Sequence, residues 1–239
     1  LDNELTTIEP LMAEVGAYDN SENFGRADRG AAYALHARLA LNSEVYTDGK
    51  VKDYQKAIDY CDKIINSGKY DLCRTEKNGY SGYQQLFMGD NDCNPEAMKE
   101  IIFPIRQDGL KARAYAGTTY LVSASTIAGM PYASTGDPWK CMFARENMVE
   151  KFFPNKKDIP MATVGDVLKN PSKEEVIAKD SEKGYGTADV IAKAGDDRAL
   201  LYMGVGGCEE GKVRTINPGE AITGPLNGAS FVKWSNLHA

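Results

Sequence analysis

The distribution of apolar and polar positions sets one stretch of the chain apart, GRADRGAAYALHARLALNSEVYTDGKVKDYQKAIDYCDKIINSGKYDL, from Gly25 to Leu72. Its first half is rich in Ala and Leu and has neither Pro nor Gly after Gly30, a composition that propagates a helix. Ala31, Ala34, Leu35, Arg38, Leu39 and Asn42 recur there at helical spacing, and the small alanines allow a partner helix to approach closely. The second half opens near Asp53, a suitable N-cap, and continues in a stripe of Tyr54, Ala57, Ile58, Cys61, Ile64 and Ile65. Gly68 follows the stripe and suits a left-handed helix stop. A turn over Tyr46–Val51 joins the halves, so the pattern predicts an antiparallel pair of amphipathic helices.

Around this hairpin the pattern is weaker. Leu1–Asn23 carries a short apolar stripe (Leu5, Ile8, Leu11, Met12) and reads as a helix followed by a loop. Residues 73–94 are rich in turn signals, with Leu86, Phe87 and Met88 as an apolar plug and Phe87 as a core residue. A short acidic turn from Pro95 leads to Ile101–Ile105, a β-branched run that predicts a buried strand, at an edge or bulge because of Pro104. Residues 109–144 show no helical period and are dense in Gly, Ser, Thr and aromatics, with Tyr115, Tyr120, Tyr132 and Trp139 among them. Long irregular segments with rigid aromatics are where compact proteins often carry function. One or two helical turns are predicted over 145–153, with Met148, Phe152 and Phe153 as packing residues, and short surface helices or a poorly ordered excursion over 161–197. Residues 199–203 read as core, and weak strands are predicted at 213–216 and 230–234.

The blocks GRADRGAAYALHARLALNSEVY, YQKAIDYCDKIINSGKYDL, YQQLF and NPEAMKEIIFPIRQDG, in this order and spacing, resemble the SusD family of cell-surface glycan-binding lipoproteins of Bacteroidetes polysaccharide-utilisation systems. ARAYAGTTYLVSASTIAGMP, WKCMFARENMVEKFF and AGDDRALLYMGVGG resemble its starch-binding members. The resemblance implies a mainly α fold: a tetratricopeptide-like helical hairpin (24–72) as scaffold, and a loop-rich extension with short strands (73–239) that carries the glycan site. It places residues 1–239 inside a single SusD-like domain, as an internal portion of a longer polypeptide. The YQQLF block is expected to pack against the hairpin.

Composition narrows the function classes. The 239 residues carry a net charge of −6 and no Lys/Arg run that could follow a phosphate backbone, so nucleic acid is not an expected partner. No stretch of about 18 apolar residues occurs. The opening LDNELTTIEP has no signal-peptide pattern, in keeping with an internal piece whose signal and lipidated cysteine lie elsewhere. The five cysteines, Cys61, Cys73, Cys93, Cys141 and Cys208, include no C-x-x-C pair and make no disulfide framework. Cys61 reads as a small core residue, and a single bridge, such as Cys73 to Cys93, stays open.

Catalytic arrangements are thin. Of the two histidines, His36 lies inside the Ala-rich helix as a packing residue and His238 stands next to the last residue, so nucleophilic triads and His/Cys zinc sites lack their parts. Glu146 and Glu150 would share a helix face, and Asp137 lies two residues before Trp139, but all three read first as solvated surface. GVGG at 204–207 lacks the Lys-Ser/Thr of a phosphate loop and the spacing of a dinucleotide fingerprint. The expected protein is not an enzyme.

Sugar binding asks for flat apolar rings against C–H faces and polar groups for the hydroxyls. On the residues alone, each loop aromatic reads first as packing. The resemblance assigns Trp139 and Tyr115 to a glucan-binding arc and leaves Tyr120 and Tyr132 as packing residues. Gly89–Asn94 offers oxygen ligands at alternating positions and reads either as a calcium loop or as an Asx-rich turn. No cofactor is required for capture. The resemblance implies a structural calcium with Asp92 as a ligand and co-ligands beyond Ala239. It further implies starch or another α-glucan as ligand, a SusC-like TonB-dependent outer-membrane transporter as partner, and the cell surface as location. The alternatives are a tetratricopeptide-type protein scaffold without sugar binding and, more distantly, a glycan-cleaving enzyme.

Overall fold

A computed structural model describes residues 1–19, 22–106, 117–127, 130, 138–139, 141–206, 208, 212–216 and 228–239. In chain order they form α1 (Asp2–Ile8), α2 (Arg29–Leu41), α3 (Ser43–Tyr46), α4 (Tyr54–Ile65), α5 (Gly82–Gln85), α6 (Pro95–Glu100), α7 (Thr118–Ser125), β1 (Phe143–Ala144), α8 (Glu146–Val149), α9 (Lys173–Lys183), α10 (Thr187–Ala194), β2 (Leu201–Tyr202) and β3 (Ala229–Phe231). The fold is mainly α, with short strands, as the sequence implied. The chain divides into two compact units, Leu1–Lys77 with Asn91–Ala112, and Asn78–Asp90 with Arg113–Ala239.

The first unit is built on the predicted hairpin of α2 and α4. Asp28 caps α2 by accepting from the Ala31 amide at 3.2 Å, and Ala32, Ala37 and Ala40 are buried along the helix. The contact face is one position round from the expected one. His36 is fully buried and stacks on Tyr60 of α4 (4.3 Å, 13°), whereas Leu35 is exposed. The α4 stripe is corrected more sharply. Only Ala57 is buried; Tyr54, Ile58, Cys61 and Ile65 are exposed, so Cys61 is not a core residue. The helix turns Ala57, Tyr60 and Ile64 inward, the positions spaced to meet α2. The segment before the hairpin is strapped on by polar contacts. Asp2 meets His36 Nδ1 at 2.7 Å and Lys56 Nζ at 2.5 Å, while the Arg29 guanidinium donates to the Glu9 and Pro10 carbonyls and pairs with Glu14.

Ile101–Ile105 forms no strand. Phe103 and Ile105 are exposed, since Pro104 offers no amide to a ladder and no neighbouring strand exists among the described residues of this unit. All five cysteines are free, so the open Cys73–Cys93 bridge is absent.

The second unit holds a three-stranded antiparallel sheet in the order β1-β3-β2, with Phe143 opposite Ser230 and Tyr202 opposite Ser230 on the other side. Strand alternation sorts its residues into two cores. Ala199, Leu201 and Met203 join Ala144, Val149, Phe153 and Val190 on one face. Leu200 and Tyr202 join Ile127, Met130 and Val232 on the other, with Tyr83 and Phe87 packed against them. The 199–203 core segment is as expected. Phe87 packs against this second core.

A capped turn supplies a pH-dependent contribution here. Asp166 accepts from the Thr163 hydroxyl (2.6 Å), the Thr163 amide (3.0 Å) and the Tyr185 hydroxyl (2.8 Å), which holds its pKa down at about 2. A depressed folded pKa gives stability that is present above the unfolded carboxyl value and lost as pH falls through the folded one. Acid unfolding of this unit between about pH 4 and 2 is expected to flatten in Asp166→Asn, read by circular dichroism; an unchanged acid limb would remove Asp166 from that role.

Candidate functional site

The site is built on the end of α7, a helix that the sequence pattern did not reveal. TTYLVSAS is rich in Ser, Thr and Val, and such residues make a weak helix by propensity alone. Burial offsets this, because Val122, Ala124 and Ser125 are buried on its inner face and Ile127 follows them into the core. The last carbonyls of a helix have no partner within it. Here the Thr126 hydroxyl donates to the Val122 carbonyl (2.5 Å) and the Ser125 hydroxyl to that of Leu121 (2.8 Å). The carbonyl of Ser123 accepts from the Trp139 amide, and that of Ala124 from the amides of Cys141 and Met142, each at 2.9 Å. The segment carrying Trp139 is therefore pinned to the helix end by its backbone, and runs directly into β1.

With its backbone held, the Trp139 indole projects outward and is 44% exposed. Tyr120 lies against it edge-to-face, 5.6 Å between centroids at 67°, and is equally exposed. Tyr120 is thus not the packing residue expected from sequence. Its significance was hidden because the contact spans 19 positions of irregular sequence. Tyr115, Tyr132 and Asp137 lie outside the described residues.

Glu146 is buried and bridged to Lys156, whose ammonium also lies 3.7 Å from Glu150. A single cation thus ties both side chains, clamping α8 to the following turn. His36 faces Asp2 and Glu9. The Asp92 carboxylate pairs with Arg106 at 3.4 Å, and no group of three His, Cys, Asp or Glu side chains among the described residues is placed to hold a metal. A cavity of the second unit, lined by Tyr80, Met88, Thr187, Val232, Ser235 and Leu237 among others, measures about 20 Å³. That is room for one water and excludes a sugar ring.

Beneath the sheet lies a buried polar network that no sequence motif marked. Asp180 accepts from the Tyr202 hydroxyl (2.6 Å) and the Val205 amide (2.9 Å), and the Tyr202 oxygen accepts from the Gly206 amide (2.9 Å). Arg214, 1% exposed, donates to the Tyr202 carbonyl (2.7 Å) and the Ser230 hydroxyl (2.6 Å). Burial raises the pKa of Asp180 and that of Tyr202, and lowers that of Arg214 to about 10. These groups are closed off from solvent and fix β2 against β3.

No family model matches the chain. Along its whole length the chain is nevertheless similar in sequence to a curated protein. The relative is the starch-binding protein SusD of Bacteroides thetaiotaomicron (strain ATCC 29148 / DSM 2079 / VPI-5482), 47% identical over 244 aligned residues that take in all of this chain. The chain spans 40% of the length of that protein. Among the described residues no helix is long and apolar enough to cross a membrane.

Proposed function

We propose that this chain contributes the glycan-holding surface of a non-catalytic cell-surface protein that captures starch or malto-oligosaccharide. The observation that carries this reading is Trp139, a flat ring left 44% exposed on a backbone anchored by three amides. An indole exposed this way offers apolar surface to the C–H face of a glucose ring. Tyr115 is proposed as a further stacking ring of the same arc. The name of the 47% identical relative supports an α-glucan as the ligand. Modest affinity at each contact is multiplied along a polymer that presents many equivalent units. Capture at the outer-membrane surface, with transfer to a SusC-like TonB-dependent transporter, completes the proposal. A calcium bound at Asp92 is a separate proposal, and nothing in the capture step depends on it.

A second reading, a helical scaffold for a protein partner without sugar binding, is favoured by the exposed row Tyr54, Ile58 and Ile65 on α4. Affinity electrophoresis of the full-length protein separates the two. Starch in the gel is expected to retard the wild type and to retard Trp139→Ala at least severalfold less, with both folded. Equal mobility of the two, or no retardation of either, would reject glucan capture through this loop and leave the scaffold.

A further inference from the structure

We infer that Tyr120 is a positioning residue for Trp139: it fixes the plane that the indole presents to a glycan. The inference rests on the glucan reading and extends it to a residue outside the stacking arc. Three backbone hydrogen bonds hold the Trp139 segment on the carbonyls of Ser123 and Ala124, but a backbone anchor leaves the indole free to rotate about its side-chain bonds. The ring is 44% exposed, so a large part of it is open to rotation into solvent. Among the described residues, the aromatic ring that restrains it is Tyr120, edge-to-face at 5.6 Å and 67°. Tyr120 is carried by α7, the same helix whose carbonyls hold the Trp139 backbone. Backbone and side chain of Trp139 are thus referred to one rigid element. A ring oriented before the ligand arrives loses less freedom on stacking, so the arrangement lowers the cost of binding without touching the sugar. The function belongs to the aromatic ring and not to the phenol oxygen, because the pair is defined by ring geometry.

The test measures maltoheptaose binding by calorimetry on full-length wild type, Tyr120→Ala, Tyr120→Phe and Trp139→Ala, each checked for an unchanged melting temperature. Near-ultraviolet circular dichroism, read in parallel, reports the coupling of the two rings. Tyr120→Ala is expected to weaken binding about two- to tenfold, the value of one edge-to-face pair, and to lose the coupled band. Tyr120→Phe is expected to restore the affinity. Wild-type affinity in Tyr120→Ala, with Trp139→Ala defective, would overturn the positioning role and leave the glucan reading intact. Equal losses in Tyr120→Ala and Tyr120→Phe would overturn it as well, by assigning the effect to the hydroxyl. Wild-type affinity in Trp139→Ala, or no binding by the wild type, would overturn the glucan reading itself and this inference with it.

Discussion

Asp180→Ala is expected to lower the stability of the second unit by on the order of 3 kcal/mol, by orphaning two buried donors that each cost about 1–3 kcal/mol. Those donors are the Tyr202 hydroxyl at 2.6 Å and the Val205 amide at 2.9 Å, and Asp180 and Tyr202 are both buried. Gly204 shows how tightly the carboxylate is enclosed, since a Cβ added there would collide with it. Asp180→Asn keeps one carbonyl acceptor and the volume, so it is expected to cost less. The two variants also separate in pH dependence. Desolvation raises the Asp180 pKa above its ordinary value of 3.8, outweighing the hydrogen bonds that lower it. The folded state then holds its proton more tightly than the unfolded one. Its stabilising contribution is complete below the unfolded carboxyl value and is lost as pH rises through the raised value, the reverse of Asp166. Asp180→Asn should abolish that loss. Urea denaturation followed across this pH range measures both effects; an Asp180→Ala midpoint equal to that of the wild type would show that the network carries no stability.

The network connects to the site through the sheet. Arg214 clamps the Tyr202 carbonyl of β2 to Ser230 of β3, and β3 pairs with β1, which continues from the Trp139 segment. If the proposed glucan capture holds, weakening Asp180 should therefore reduce starch retention only under conditions where the unit begins to unfold. Trp139→Ala should reduce it with stability unchanged, which tells a scaffold effect from a contact effect.

What could be read from the sequence follows physical lines. Helices with their own periodicity, α2 and α4, were legible, whereas over 161–197 isolated apolar anchors left short surface helices and a poorly ordered excursion both open. Which face each would bury was less legible, because a stripe records apolar character and not what covers it. On α4 the residues that meet α2 are Ala57, Tyr60 and Ile64, while the more apolar Ile58 and Ile65 stay exposed. In the opposite direction, α7 was invisible because tertiary burial and its satisfied terminal carbonyls, not propensity, hold it. Ile101–Ile105 had the composition of a strand but no strand to pair with among the described residues of its unit. At the candidate site, Trp139 was singled out by the resemblance to starch-binding relatives. Tyr120 and the Asp180–Tyr202–Arg214 network depend on contacts over 12 to 22 positions or more, which no local pattern encodes.

In the first unit the corresponding pressure point is Asp28, where Asp28→Ala is expected to cost roughly 2–4 kcal/mol. Its carboxylate caps α2 through the Ala31 amide, accepts from the Gly16 amide at 2.7 Å, and faces the Tyr70 hydroxyl at 3.5 Å. One buried side chain thus joins the incoming segment, the start of α2 and the chain beyond α4. Loss of a cap alone is worth about 1 kcal/mol. The remainder comes from the Gly16 amide and the Tyr70 hydroxyl left without their acceptor. Gly30 tests the same corner from another side. Alanine in a helix ordinarily stabilises relative to glycine, by up to about 1 kcal/mol. At Gly30 the sign should reverse, because a Cβ there would run into the Tyr70 hydroxyl. Tyr70→Phe removes the obstructing oxygen, so the Gly30→Ala/Tyr70→Phe double variant should recover part of the loss, which a double-mutant cycle in urea resolves. Strict additivity of the two substitutions would mean that Tyr70 does not close this corner, and the role given to Asp28 in joining it would fall back to that of a simple helix cap.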